Sequence, residues 1–301
     1  MSQATLGRSI VLLMFEFIRN EPTSMREAFD KYVARPWDHA LDVVPFLAIL
    51  EHSGSPGAWQ QDGLGAGQFS HLVRSLRHWT AFRNGGDLDE QQTCLCQNLP
   101  GFLVAVRKAI PKRRGSLAEL EQDEVVAFAA ALEDAILELA KHVKKNRSFV
   151  LPSKTGHLLF PAWVPAYDGA VIRSEVLNML EAYTPHHFSY HVYVLLCWWV
   201  LRRCSVKELR DIRGWTRAHL LSDVAVHALD IGSPSGRADM DWRLDSIAAE
   251  YLLTGMARLP APPVLRSVAS CCLPDGQGND RFWPPPTPSP HTATRPVSKR
   301  S

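Results

Sequence analysis

The chain lacks any run of about 20 apolar residues, the length needed to cross a bilayer. Its two most apolar stretches, Ile10 to Phe15 and His191 to Leu201, meet Glu16 and Arg202 well before that length. The expectation is a cytoplasmic protein, bacterial in style, with no signal peptide and no membrane partner. Cysteine is sparse as well. Cys94, Cys96, Cys197, Cys204, Cys271 and Cys272 are too few in 301 residues for a secreted disulfide scaffold, and they read as reduced thiols. Charge of one sign is not in excess: a formal net charge of +2 gives no global field, so any contact with nucleic acid has to rest on a local patch. Strand-type alternation is missing before residue 150. That absence removes the strand that should precede a phosphate-cradling loop, so Gly63, Gly65 and Gly67 read as an ordinary loop. Cys94-Leu-Cys96 has no second cysteine pair, and neither a metal site nor a cofactor is expected from it.

What is present is helical periodicity. The expected fold class is all-α, a multi-helix globular bundle with a disordered proline-rich C-terminal tail. Ser24 to Glu27 reads as a capping box that opens a helix running to about Ala34, and Pro45 suits the first turn of another. Phe69, Leu72, Val73, Leu76 and Trp79 mark a helix that Gly85-Gly86 stops. Pro100 is expected to start a helix through Ile110, and Pro111 to Gly115 to form a basic turn that is either a solvated loop or a phosphate contact. The longest helix is expected from Ser116 to Lys145, opened by a Ser116/Glu119 capping box, with Val125, Phe128, Leu132, Ile136, Leu139 and Val143 on one stripe. Asp168 then opens a helix that Pro185 breaks, and a nearly all-apolar helix runs from about His186 to Cys204. His187 and His191, at i and i+4, have no third ligand nearby and read as helix-face histidines. The last helix is expected from Asp241 to Met256.

These elements divide the chain into an N-terminal helical region (1–147), a second helical region (148–259) and the tail (260–301). The two helical regions are compatible with one shared core. The tail, with Pro284-Pro-Pro-Thr-Pro-Ser-Pro290, is a passive segment or a ligand for a protein partner that binds polyproline.

Two stretches carry chemistry. In Leu151 to Asp168, Ser153 is expected to cap a short helix that places Lys154 and His157 on one face. Pro161 and Pro165 then deliver Asp168 to the start of the next helix. Lys154, His157 and Asp168 form a candidate catalytic set, a lysine nucleophile beside a carboxylate; the same residues also suit a purely structural linker. In Ser205 to Val224, Leu209, Ile212, Gly214, Thr216 and Leu220 fit a helix-turn-helix, with Arg210 and Asp223 departing from that pattern. Arg202, Arg203, Lys207, Arg210, Arg213 and Arg217 outnumber Glu208 and Asp211 there. That balance suits a nucleic-acid-binding surface with DNA as partner; the alternative is two core helices joined by a glycine turn.

Ser153-Lys154, His157-Leu158, Phe160-Pro161 and Pro165-Ala-Tyr-Asp168 resemble a motif of uncharacterised bacterial all-helical proteins, roughly S-K-x-x-H-F-L-x-P-x-x-F-P-x-x-D. Pro165-Ala-Tyr-Asp-Gly-Ala-Val-Ile-Arg173 is also similar, with one residue extra, to the P-x-D-x-x-V-x-R segment of helix-hairpin-helix DNA glycosylases. That resemblance implies a lysine that attacks the sugar and an aspartate that assists it, which carries over onto Lys154 and Asp168, with the target base extruded from the duplex. Leu151-Pro-Ser153 stands where that family has a glycine-rich hairpin.

Overall fold

Ser24 opens the first helix by accepting the Glu27 N–H on its Oγ at 3.0 Å, as the capping box requires. The computed structural model describes residues 24–34, 66–82, 87–143, 148–183, 188–204, 207–212 and 244–256. Its helices are α1 (Met25–Ala34), α2 (Ala66–His78), α3 (Leu88–Ala109), α4 (Gln122–Val143), α5 (Val150–Leu159), α6 (Asn178–Tyr183), α7 (Tyr190–Arg203) and α8 (Leu244–Met256). A π-helical segment, Gly169–Leu177, runs directly into α6. Among the described residues there is no strand, so the all-α expectation holds.

Helix α2, expected to run to Gly85-Gly86, ends at His78, where the Thr80 and Ala81 N–H groups close it on the Arg77 and Leu76 carbonyls, and three other elements differ from the sequence reading, each for a local reason. Pro100 lies inside α3 instead of starting it. The helix begins at Asp87, whose Oδ1 accepts the Asp89 N–H at 2.9 Å. Pro100 is solvent-exposed, so the backbone bond that its ring removes is lost where water can replace it. The expected Ser116–Lys145 helix starts later. Leu117–Glu119 is a single 3-10 turn and the Ser116 side chain makes no cap. The working box is Glu121 and Glu124, in which Glu124 Oε2 accepts the Glu121 N–H at 2.9 Å. Third, the helix after Asp168 is π-helical in its first nine residues. Pro45, Gly63, Gly65, Pro185, His186, His187, Gly214, Thr216, Leu220, Asp241 and the tail lie outside the described residues.

Helix α4 is the hub. Its apolar stripe from Val125 to Val143 is buried, and α3, α5 and α7 all pack on it, while α7 also meets α8 and α8 meets α1. Phe128 is 2% exposed, and burial of a side chain of that size contributes about 2–3 kcal/mol. One hydrophobic cluster runs from Met25 to Leu252, so the regions 1–147 and 148–259 share a core.

Polar groups fix how α7 meets α4. Glu133, on α4, accepts the His191 backbone N–H in the first turn of α7 at 3.2 Å and faces His191 Nδ1 at 2.9 Å. A carboxylate from one helix thus caps the start of another. At the far end of α7, Trp198 Nε1 donates to the Leu120 carbonyl at 2.8 Å. Burial raises the Glu133 pKa, but the His191 hydrogen bond and charge, the His191 backbone N–H and Ser189 together leave it below the ordinary glutamate value. A depressed carboxylate contributes stability that is present above its unfolded value and lost as pH falls through its folded value. Urea midpoints should therefore fall between pH 6 and pH 3 in the natural protein. Glu133→Gln should lower the midpoint at pH 6 and flatten that fall; an unchanged pH profile in the variant would remove Glu133 from it.

Candidate functional site

The stretch Leu151 to Asp168 folds as a helix and a returning chain. Phe160 ends α5 by donating its N–H to the Gly156 carbonyl at 2.7 Å, and a turn at Pro161 to Trp163 closes with the Val164 N–H on the Phe160 carbonyl at 2.9 Å. Residues 164–168 then run back along α5. Each small or polar residue on that face of the helix meets them in turn. Gly156 lies against Val164, close enough that an added Cβ would stand 2.8 Å from Val164 Cγ1. His157 Nδ1 is 2.8 Å from the Val164 carbonyl. A carbonyl can only accept, so Nδ1 carries the proton. Ser153 Oγ accepts the Tyr167 N–H at 3.1 Å and donates to the Val150 carbonyl at 3.2 Å. It therefore ties the return to α5 from inside the helix, where a cap had been expected.

The other side of the return is held by α7, where Tyr190 donates to the Pro165 carbonyl at 2.7 Å and Tyr193 to the Ala166 carbonyl at 3.3 Å. The carbonyls of residues 164, 165 and 166 are thus each met by a side chain, as buried backbone requires. Tyr167, Tyr190 and Tyr193 stack on one another at ring separations of 6.0 to 6.3 Å, with Phe149 against Tyr167 and Tyr190. Burial, ahead of the opposing pull of Arg173, pushes the Tyr167 hydroxyl up to about 12, so it stays protonated and is no base.

Lys154 closes the arrangement. Its Nζ donates to the Trp79 carbonyl at 2.8 Å and to Asp168 Oδ2 at 3.2 Å. The Trp79 carbonyl is where it is because α2 ends in a Schellman motif. The Ala81 N–H bonds the Leu76 carbonyl, the Thr80 N–H bonds the Arg77 carbonyl, and Thr80 takes the left-handed conformation at φ 52°. The ammonium therefore caps the negative end of α2 and at the same time pairs with the carboxylate at the start of the π-helical segment. The Lys154 side chain is 9% exposed and that of Asp168 is 47% exposed. His157 is 1% exposed and its ring lies 5.9 Å from that of Trp79.

Of the three residues proposed as catalytic, Lys154 and Asp168 come together, and His157 faces the Val164 carbonyl on the same helix face. Both contacts engage the Lys154 amine as a donor to groups already in place, whereas nucleophilic attack needs its lone pair directed at a substrate. Sequence reasoning missed three partners in this arrangement, the Trp79 carbonyl and the hydroxyls of Tyr190 and Tyr193. The tyrosines carried a usable signal, two hydroxyls one helical turn apart in an otherwise apolar helix, which demands acceptors nearby.

No family model, curated protein or solved structure matches the chain.

The second candidate site is the end of α7 and the helical residues 207–212. Arg202, Arg203, Lys207 and Arg210 are all exposed there. Arg202 pairs with Glu121 at 2.8 Å, and the Arg203 guanidinium lies 4.6 Å from the Trp199 ring centroid. Arg213 and Arg217 lie outside the described residues. Cys204 buries its thiol, which is pushed up to about 12, and donates to the Val200 carbonyl at 3.3 Å, so no thiolate chemistry arises beside this cluster. Cys94 and Cys96 sit two residues apart on α3 and so point to different sides of it. Among the described residues, no three His, Cys, Asp or Glu side chains gather as a metal site would need.

Proposed function

We propose that the protein is a non-catalytic helical module that binds nucleic acid through the basic end of α7. The observation that carries this reading is that Arg202 and Arg203 at the end of α7 and Lys207 and Arg210 in the helical residues 207–212 are all exposed. Lys207 and Arg210 make no ion pair among the described residues, which leaves them available to phosphate. Arg203 rests on the Trp199 ring, which holds its guanidinium in place on an aromatic support. Phosphate contacts of this kind release counterions, so affinity should fall steeply with salt and show little sequence preference. Anisotropy of a labelled 20-base-pair duplex is the direct measurement. Lys207→Gln with Arg210→Gln should weaken binding and reduce the slope of log Kd against log salt by about 2. Absence of binding at low salt, or binding that does not respond to salt, would remove this reading.

A second reading, a glycosylase-like lyase using Lys154 and Asp168, is favoured by one observation. The amine and the carboxylate are 3.2 Å apart and the carboxylate is half-exposed, so a base positioned to assist the lysine is present. Attack would require the amine to leave the Trp79 carbonyl and lose a proton to Asp168. A third reading, a structural or partner-binding protein, rests on the same buried contacts.

A further inference from the structure

Helix α3 carries charge at its two ends only. Asp89 and Glu90 stand in its first turn and Arg107 and Lys108 in its last, and the 16 residues from Gln91 to Val106 include no charged side chain. Leu95, Leu99, Phe102 and Val106 are buried on the side turned to the core. The opposite side is exposed along its length: Glu90, Thr93, Gln97, Pro100, Val104 and Lys108 follow one another three or four residues apart, which sets them on one stripe. Val104 is 62% exposed, a large apolar side chain left to water. The helix dipole accounts for acids at the start and bases at the end. It does not account for an exposed side that runs about four turns without a charge, since a solvated helix face is ordinarily charged. Glu90 and Lys108, at the two ends of the stripe, make no ion pair among the described residues.

We infer that this side of α3 is a contact between two copies of the chain, packed antiparallel about a twofold axis beside Leu99. The pattern of the stripe is self-complementary about that residue. Glu90 lies as far before Leu99 as Lys108 lies after it, so an antiparallel pair sets Glu90 of each copy level with Lys108 of the other, twice by symmetry. A parallel pair would set Glu90 against Glu90 and Lys108 against Lys108, which repel. In the antiparallel pair Val104 falls beside Thr93 of the second copy and leaves water. Gly101 falls level with Gln97 and, lacking a Cβ, leaves room for that longer side chain. A contact along one helix is at the small end of specific interfaces, so the dissociation constant is expected at about 10 to 100 µM. An uncharged stripe gives phosphate no hold, and this contact does not depend on nucleic-acid binding at the end of α7.

The test is sedimentation equilibrium of the full chain from about 2 to 200 µM, which reads the balance of monomer and dimer. A dimer is expected at the upper concentrations. Val104→Glu should abolish it across that range and leave the melting temperature of the single chain unchanged, because the side chain is 62% exposed there. Glu90→Lys alone and Lys108→Glu alone should each raise the dissociation constant about tenfold, since each sets like charges against one another at both ends. An equimolar mixture of those two variants should return to the natural value, because the mixed pair has opposite charges at both ends again. A monomer at every concentration, as when another segment of the chain or a different protein covers this side, would overturn the inference. So would a dimer undiminished in Val104→Glu, single reversals without effect, or a mixture that does not recover.

Discussion

Lys154→Met should lower the free energy of unfolding by about 2 to 4 kcal/mol, read as a shift in urea midpoint at constant slope. The methionine fills nearly the same volume, so the loss is electrostatic and not a cavity. It takes the ammonium away from the Trp79 carbonyl at the end of α2 and from Asp168 at the start of the π-helical segment. Asp168→Asn should cost less, about 1 kcal/mol or below, because that side chain is 47% exposed and water can replace the pair. A Lys154→Met protein as stable as the natural one would show that the Lys154 bonds to the Trp79 carbonyl and Asp168 contribute nothing to stability. The same variant separates the lyase reading. Borohydride trapping of abasic-site DNA on the natural protein, lost in Lys154→Met with the fold intact, would establish it; no trapping on the natural protein would sink it.

Gly156→Ala should also destabilise, by about 1 to 3 kcal/mol, although alanine is the better helix former by about 1 kcal/mol. The new methyl would stand 2.8 Å from Val164 Cγ1 and 3.3 Å from Phe102 Cζ. Val164 is fully buried and β-branched, so it has no other rotamer to retreat into cheaply. Relief therefore requires the returning chain to lift from α5, which would stretch the His157 bond to the Val164 carbonyl and the Ser153 bond to the Tyr167 N–H. A gain in stability would show that the return is loosely held. The glycine is needed for close approach of chain to helix, and its conformational freedom plays no part.

The stripe of α4 and the Ser24 cap were legible in the sequence because each depends on residues within one or two turns; the end of α2 was not, because it closes at Thr80 and Ala81 without a glycine, ahead of the expected Gly85-Gly86 stop. Pro100 was misplaced because its effect depends on exposure: a proline inside a helix is tolerated where the broken bond faces water, and one sequence does not show which side faces out. The Ser116/Glu119 pattern met the spacing of a capping box, yet Glu119 turned to Gly115 and the box formed five residues later. Two equivalent local solutions competed, and packing of Leu117 and Leu120 into the core selected one. In the central stretch the grouping of Lys154 with Asp168 was legible from chemistry. Its reason was not, because the acceptor that decides it is a backbone carbonyl 75 residues earlier, and every residue has one. The hydroxyls of Tyr190 and Tyr193 signalled a need for acceptors, but which carbonyls answer it was hidden for the same reason.

That 75-residue separation also sets a schedule for synthesis. At roughly 5 to 20 residues per second, Lys154 is added about 4 to 15 s after Trp79. Until then the carbonyl that ends α2 has only water or transient neighbours to meet it. The first helices of the chain are in this sense finished from downstream, and a ribosome that pauses between Gly86 and Ser153 holds them in an incomplete state for as long as it waits.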